Sequence, residues 1–471
     1  MSIIYDNDVM RPELYDYEAY PIGFLTGTRT VTIHPLGCHH RLEPGHTYVV
    51  RVKEVERAED GRFPESGCEK AVEVTAEATP DGDGCLRVTA DFPREGMYYL
   101  CLHRDAQSGC FAQIRVYALD HDMAGRYPLR GDLHLHSCRS DGREDPALVG
   151  AHYRGHGYDF TVLSDHERYY PSLELRRRMG IGEDDESGLT DMLIVPGEEV
   201  HLPLNDVHYV NFGGEFSINA LLTPNCNTEG GAGKDVRSLH GECPDTMTRD
   251  AFIAMIRERA KSVPREIESE RLSFAVLEWT YEQMKANKGL GIFPHPYWLC
   301  STMQLSDDYT RFIYEQGPFD AFEVLGGENY YQHNGFQTAL YYEMKAKGYD
   351  YPVVGSTDSH GSTRMNRNAL ICSTIVFAKE NKTRALVDAI KSRYSVAVDT
   401  ISPEYRLVGD FRLIKLGSFL MENWYPLHDR VCAAEGLWLE KYMAGDEAAL
   451  PVLKAMKGTI PAMMKKYFEM E

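Results

Sequence analysis

Two histidines separated by one residue form the strongest chemical motif in the sequence. Residues 132–136 read DLHLH, which places His134 and His136 two positions apart, and Asp141 follows on the next stretch of chain. On a β-strand the side chains at i and i+2 point to the same side, so both imidazoles can reach one metal ion. A single His-x-His pair is common by chance, and its meaning depends on further ligand-type residues elsewhere in the chain.

Such residues recur, each near the end of a short apolar run. They are Asp165 and His166, Glu199, His208, His295, and the spaced pair Asp358 and His360. A mixed set of imidazole and carboxylate ligands suits Zn, Mn or Fe better than calcium or an iron–sulfur cluster. Any one of these histidines taken alone is more often structural, but an ordered set at strand ends indicates a metal site.

The ordered motifs HxH…D, DH, GxE…H, HP and DxH resemble those of the PHP (polymerase and histidinol phosphatase) superfamily of metal-dependent phosphoesterases, over roughly residues 129 to 405. The resemblance implies a distorted (β/α)7 barrel. It also implies metal ligation by His134, His136, Asp141, His166, Glu199, His208, His295, Asp358 and His360. Glu199, rather than Glu198, would bridge two ions because its spacing from Gly197 matches the family. Glu323 is an additional candidate near another strand end.

The predicted chemistry is hydrolysis of a phosphate ester by a metal-activated water. Two or three clustered divalent ions, Zn, Mn or Fe, polarise a phosphoryl group, lower the pKa of water and neutralise the leaving oxygen. The first expectation is a small-molecule phosphomonoester. The alternatives are a phosphodiesterase or exonuclease acting on short nucleotides and, in another class, a non-catalytic metal-stabilised binding scaffold.

Four further residues are candidates for catalytic roles beside the metal ligands. Asp165 is expected to orient a ligand histidine or to accept a proton, with a strand-end cap as the alternative. Arg139, Arg168 and Arg364 each lie within a few residues of a ligand motif, where a guanidinium can bind phosphate in a bidentate manner. Each arginine by itself is as readily explained as a surface residue.

Charge and cysteine content set the expectations for partners and compartment. The formal net charge is −21 and no Lys/Arg run reverses it locally, which predicts a small phosphorylated substrate and no duplex nucleic acid. The chain has 11 cysteines and no CxxC pair, which favours free thiols in a reducing cytoplasm. We expect no membrane span, since the sequence has no long apolar stretch.

The elements that must position these residues divide the chain into three expected parts. Residues 1–125 contain short alternating runs typical of a β-sandwich-like accessory domain. Residues 126–409 alternate apolar runs and helical stretches, which indicates an α/β barrel whose strand ends carry the ligands. An insertion at about 216–270 is either a lid or surface decoration, and residues 410–471 form a helical C-terminal extension.

Overall fold

The computed structural model describes residues 16–55, 73–186, 188–229, 234–241, 243–299, 301–326, 330–363, 371–400 and 406–471. The chain divides into two compact units. The first contains the chain up to Tyr127 with Lys415–Leu427 and Thr459–Glu471; the second contains Pro128–Ile414 and His428–Gly458. Among the described helices, none combines the length and apolar character needed to cross a membrane. The predicted three-part division of the chain stays a prediction.

The first unit is built mainly from antiparallel strands. Its strands are β1 (Tyr17–Tyr20), β2 (Gly23–Leu25), β3 (Gly27–Pro35), β4 (Tyr48–Glu54), β5 (Glu73–Ala78), β6 (Leu86–Phe92), β7 (Gly96–His103), β8 (Cys110–Leu119) and β24 (Phe468–Glu469). They form a three-stranded sheet, β1-β3-β6, and a six-stranded sheet, β24-β2-β8-β7-β4-β5. Phe92 from the first sheet packs edge-on against Phe24 and Tyr98 from the second, so an aromatic core joins the two sheets.

The second unit alternates strands and helices. Its strands are β9 (Tyr127–Asp132), β10 (Phe160–Val162), β11 (Leu193–Val195), β12 (Gly197–Val200), β13 (Tyr209–Phe212), β14 (Leu222–Thr223), β15 (Thr228–Glu229), β16 (Lys234–Asp235), β17 (Met247–Thr248), β18 (Leu290–Phe293), β19 (Ala321–Leu325), β20 (Val353–Gly355), β21 (Cys372–Ala378), β22 (Ser395–Asp399) and β23 (Arg406–Gly409). β10, β11 and β18 to β20 are buried along their whole length. Strands covered on both faces read as continuous apolar runs, which is why the sequence revealed them.

The helices of the described residues connect strands of the second unit or belong to the C-terminal part of the chain. They are α1 (Pro146–Gly155), α2 (Tyr170–Met179), α3 (Arg249–Arg259), α4 (Glu268–Ala286), α5 (Asp307–Gln316), α6 (Tyr330–Ala346), α7 (Thr383–Lys391), α8 (Phe411–Asn423), α9 (Tyr425–Met443), α10 (Leu450–Met456) and α11 (Thr459–Tyr467). The side chain of Asp145 caps α1 by accepting a hydrogen bond from the backbone of Ala147, and Pro146 occupies the first turn. This cap fixes where the loop that carries Asp141 ends.

The strands of the second unit form two main sheets rather than a closed ring. One has the order β11-β10-β9-β21-β22-β23 and the other β12-β13-β18-β19-β20. Among the described residues, the isolated bridges Leu135↔Ser359 and His166↔Glu199 connect the chain just beyond β9 and β10 with the second sheet. Among the described residues no closed barrel is present, so the α/β class is confirmed and the (β/α)7 barrel is not.

Two local features explain the open arrangement. β13 pairs antiparallel with both β12 and β18, and no helix lies between β12 and β13, so the β/α alternation breaks there. Asp358 and His295 have positive φ values of 51° and 21° just beyond β20 and β18. Such backbone cannot continue a strand, so the ladders stop where the ligand-type residues begin.

The predicted insertion is a folded part of the second unit. Strands β14 to β17 and helix α3 lie within residues 216–270. Its Leu221, Phe252 and Ile256 are buried in the same apolar core as strand residues such as Phe293 and Val324. This burial anchors the insertion beside the ends of the strands.

Candidate metal centre

The nine predicted ligands come together in the second unit. His134 and His136 follow β9, His166 follows β10, Glu199 lies in β12, and His208 immediately precedes β13. The remaining four are Asp141 on the loop after β9, His295 after β18, and Asp358 and His360 after β20. Their donor atoms form overlapping groups, and within each group the atoms lie within 4.8 Å of one another. Three of the groups are His134, His136 and Asp358; Glu199, His208 and His295; and His136, Asp141, His166 and His360.

Glu199 lies at the centre of these groups. Its Oε2 atom lies 3.4 Å from Nε2 of both His134 and His136 and 2.8 Å from Nδ1 of His166. Its Oε1 atom lies 2.8 Å from Nδ1 of His208 and 3.8 Å from Nε2 of His295. The two oxygens of one carboxylate therefore face two different groups, which is the geometry that bridging of two ions requires.

Asp358 and Asp141 complete the first and third groups. Oδ1 of Asp358 lies 3.0 Å from Nε2 of His136 and 3.3 Å from Nε2 of His134. Oδ2 of Asp141 lies 3.3 Å from Nε2 of His360 and 3.4 Å from Nε2 of His166. Atoms that bind one tetrahedral ion at about 2.0 Å are about 3.3 Å apart, so these separations suit a shared ion.

Buried polar atoms without hydrogen-bond partners show that the set fits divalent ions. They include both carboxylate oxygens of Glu199, Nε2 of His134, Nδ1 of His136, Nδ1 of His208 and Nε2 of His295. Leaving such atoms unpaired in the interior costs about 1–3 kcal/mol each. They face one another within the three groups instead, and cations in those groups would satisfy them. His and carboxylate donors accept Zn, Mn and Fe alike.

The protonation states of two residues agree with this use. Burial lowers the pKa of His136 to about 4, so its ring is neutral and has a lone pair to offer. Burial would raise the pKa of Asp358, but the neighbouring His134, His136 and His295 outweigh it and hold the pKa below its ordinary value. Metal ligands must be deprotonated, and both residues meet that condition.

Glu198 and Glu199 are adjacent in sequence but point to opposite sides of β12. The Glu198 carboxylate is buried and accepts hydrogen bonds from Ser217 Oγ, the Ile218 backbone and both the backbone and side chain of Asn219. Glu198 therefore holds the start of the insertion in place. Glu199 is left to face the histidines, in agreement with the preference stated from its spacing.

Two further carboxylates hold the ligand strands in position. Oε2 of Glu323 lies 3.1 Å from Nδ1 of His134, the nitrogen that faces away from Glu199, and so fixes the orientation of that ring. Asp132 is fully buried and accepts hydrogen bonds from the backbone of His134 and from both the backbone and side chain of Thr357. Asp132 thus ties the end of β9 to the chain segment that carries Asp358.

The predicted catalytic residues occupy different environments. Asp165 is buried and accepts hydrogen bonds from the backbone and hydroxyl groups of Ser137 and Ser140, so it organises the loop that leads to Asp141. Arg139 donates to both oxygens of Glu174 and to Asp145. The catalytic assignments of these two residues stay predictions.

Arg168 and Arg364 are the two other arginines predicted to contact the phosphate. Arg168 follows His166 by two residues and is half-buried, and its guanidinium makes no side-chain hydrogen bond or ion pair with the described residues. Arg364 lies outside the described residues. Of the three predicted arginines, Arg168 is the one whose guanidinium remains available to an anion among the described contacts.

Sequence reasoning missed one residue of the cluster. Nε2 of His201 lies 2.8 Å from Nδ1 of His166 and 3.6 Å from Oε2 of Glu199. The signal was present: His201 lies two positions after Glu199, the same spacing that drew attention to His134 and His136.

Backbone strain accumulates around the centre. His295, Asp358 and Glu167, which follows His166, all have positive φ. Residues other than glycine rarely adopt this region, and each instance costs on the order of 1–3 kcal/mol. Strain at two ligands and beside a third indicates that the fold holds them for a purpose other than stability.

Comparison with known proteins gives structural similarities only. No family model matches the chain, and no curated protein matches it. One similar solved structure is a two-domain protein from Bacteroides vulgatus containing a predicted PHP-like metal-dependent phosphoesterase, with 18% identity, TM-score 0.36, and coverage of 58% of this chain and 65% of that one. A second is a metal-dependent phosphoesterase from Bifidobacterium adolescentis, described as putative, with 15% identity, TM-score 0.32, and coverage of 56% and 96%. At these identities and TM-scores the likeness concerns the fold alone.

A third similar structure corrects one expectation. It is Endonuclease Q in complex with a 27-mer duplex that has an abasic lesion, with 13% identity, TM-score 0.35, and coverage of 56% of this chain and 57% of that one. Excluding duplex nucleic acid as a partner was therefore wrong. Net charge is summed over the whole surface, whereas phosphate binding depends on the cations at one site, so a charge of −21 excludes no phosphate-containing polymer.

Proposed function

We propose that the protein is a metal-dependent hydrolase of phosphate esters. The observation that carries this proposal is the set of buried, unpaired carboxylate and imidazole atoms around Glu199. Burying these atoms without partners lowers the stability of the fold, and they contribute no apolar packing in return. A purely structural role therefore does not explain them. The similar phosphoesterase structures agree with the proposal.

In this proposal the chain's own residues hold two or three divalent ions, Zn, Mn or Fe. His134, His136 and Asp358 would share one, and His208 and His295 a second, with Glu199 between them. His166, Asp141 and His360 would hold a third. Bound ions of this kind polarise a phosphoryl group and activate water. Glu323 holds the His134 ring in orientation, and Arg168 would contact the phosphoryl oxygens.

A cavity beside the centre supports a small phosphomonoester as the first substrate class. It has a volume of about 430 Å³ and is lined by His201 and Glu167 on one side and by Leu222, Pro224 and Arg249 of the insertion on another. Cavities of this size typically enclose a small organic molecule. The insertion would thus shape the space for the leaving group.

We propose a reducing, cytoplasmic setting on the basis of the thiols. The nine cysteines of the described residues are all free thiols, and Cys85, Cys101, Cys372 and Cys432 are buried. A protein that keeps its thiols reduced is typical of that compartment.

Turnover assays with matched substrates test the function. Protein loaded with Mn²⁺ or Zn²⁺ should hydrolyse p-nitrophenyl phosphate faster than bis(p-nitrophenyl) phosphate, and the H134A/H136A double variant should be inactive. Faster hydrolysis of the diester, or cleavage of abasic duplex DNA, would move the substrate class to diesters. A folded, metal-loaded protein without activity on any of the three would refute the enzymatic proposal in favour of a binding scaffold.

A further inference from the structure

His201 belongs to the metal centre although it matches none of the ligand motifs. It follows β12 directly, and its backbone N–H donates to Oδ1 of Asn219 at 3.1 Å. The same Asn219 donates to the backbone carbonyl of Glu199. The same asparagine therefore holds the backbone of both His201 and Glu199, which makes the place of His201 beside the cluster a built feature of the fold.

The contact between His201 and His166 requires one shared proton. Two neutral imidazole nitrogens 2.8 Å apart form a hydrogen bond only if one of them carries a hydrogen and the other offers a lone pair. The facing atoms are Nδ1 of His166 and Nε2 of His201. Which of them is the donor follows from what the other nitrogen of His166 does.

Nε2 of His166 points to the third ligand group. It lies 3.4 Å from Oδ2 of Asp141, and the rings of His166 and His136 are 4.3 Å apart. A nitrogen that binds a metal must be free of hydrogen. If Nε2 of His166 is the ligand atom, Nδ1 carries the hydrogen and donates it to His201.

Glu199 does not replace His201 in this role. Its Oε2 atom is also 2.8 Å from Nδ1 of His166, but neither oxygen of Glu199 has a hydrogen bond. Both face other histidines and are the atoms assigned above to bridging. His201 is thus the hydrogen-bond partner of Nδ1 of His166, and it is the acceptor in the tautomer that leaves Nε2 of His166 free to bind an ion.

We propose that His201 is a positioning residue that fixes the ring orientation and tautomer of His166. It accepts the Nδ1–H of His166, so that the Nε2 lone pair faces the ion shared with Asp141 and His360. This inference rests on the proposed metal centre. In most metal sites the partner of a ligand histidine is a carboxylate or a carbonyl, and its loss weakens metal affinity by about 10- to 100-fold.

Metal-binding measurements without substrate test this role. Chelator-competition titrations with Zn²⁺ and counts of bound ions would compare wild type, His201→Ala, His201→Gln and the control His240→Ala. His240 is an exposed histidine near Glu183, away from the nine ligands. His201→Gln keeps an acceptor oxygen at about the position of Nε2, so it also serves if the alanine variant folds poorly.

The expected result is a weakening of one ion by about 10- to 100-fold in His201→Ala and recovery of most of that affinity in His201→Gln. His240→Ala should bind like the wild type. Loss of a whole ion in both His201 variants would identify His201 as a ligand and overturn the inference, as would unchanged binding in His201→Ala. Wild-type protein that binds no divalent ion would instead refute the proposed function itself.

Discussion

The adjacent carboxylates Glu198 and Glu199 allow a crossed test of the centre. Each is replaced by glutamine, which preserves shape and removes the charge. Because the two side chains leave β12 on opposite sides, the same chemical change should have different consequences. Glu198→Gln should affect folding, whereas Glu199→Gln should affect metal binding.

The magnitude for Glu198→Gln follows from its hydrogen bonds. Oε1 accepts from the backbones of Ile218 and Asn219, and Oε2 accepts from Ser217 Oγ and the Asn219 side chain. In Glu198→Gln the amide NH2 takes the place of Oε2. It can donate to the Ser217 hydroxyl, which then acts as acceptor, but it faces the side-chain N–H of Asn219, which is also a donor. One bond is then lost, and three weaken from charged to neutral, at about 1 kcal/mol each. We expect the free energy of unfolding to fall by about 2–4 kcal/mol.

Glu199→Gln should weaken metal binding rather than destabilise the metal-free fold. Its oxygens make no hydrogen bonds within the described residues, but they face His134, His136 and His208. A neutral amide cannot bridge two cations as a carboxylate does, so the variant should bind at least one ion fewer. Added metal should then raise its stability less than it raises that of the wild type.

Urea unfolding with and without chelator, together with elemental analysis, measures both effects. Glu198→Gln should lose the same stability under both conditions and keep the wild-type ion count. The assignment is wrong if Glu198→Gln loses metal while its chelator-treated form is as stable as wild type. It is equally wrong if Glu199→Gln retains every ion.

Two other predictions concern the second unit. Chelation should lower the free energy of unfolding of this unit, measured by urea titration. Restoring one ion at a free concentration of 100 times its Kd should raise that free energy by about 2.7 kcal/mol. Equal stability of the chelated and the metal-loaded protein would contradict a preformed site. Burial alone would lower the pKa of His428, but Asp159, 2.8 Å away, raises it well above the ordinary value. A histidine whose pKa is raised in the folded state contributes its full stabilisation below its unfolded pKa of about 6.5 and loses it as the pH rises above that value. His428→Gln should therefore lower the free energy of unfolding by about 3 kcal/mol at low pH and by less as the pH rises. A loss of stability that grows with pH would refute the pairing of His428 with Asp159.

Several features could be predicted from the sequence because they depend on local patterns. The apolar runs at Phe160–Val162, Leu193–Val195 and Leu290–Phe293 are strands, as their composition predicts. The spacing of His134 and His136 places both rings in one cluster, since the side-chain direction in extended chain repeats every two residues.

The tertiary structure decided which polar groups meet across long stretches of chain. Glu323 contacts His134, which lies 189 residues away in the sequence. Arg139 is paired with Glu174, so its guanidinium is not available to a phosphate as the sequence suggested. The strands of the second unit also form two sheets rather than a closed barrel, and β13 pairs antiparallel with both β12 and β18, which the apolar runs of the sequence did not reveal. Residue type and spacing fix the donor atoms that a segment can offer. Which of those atoms end up facing one another is fixed by packing, because burial removes water as an alternative partner.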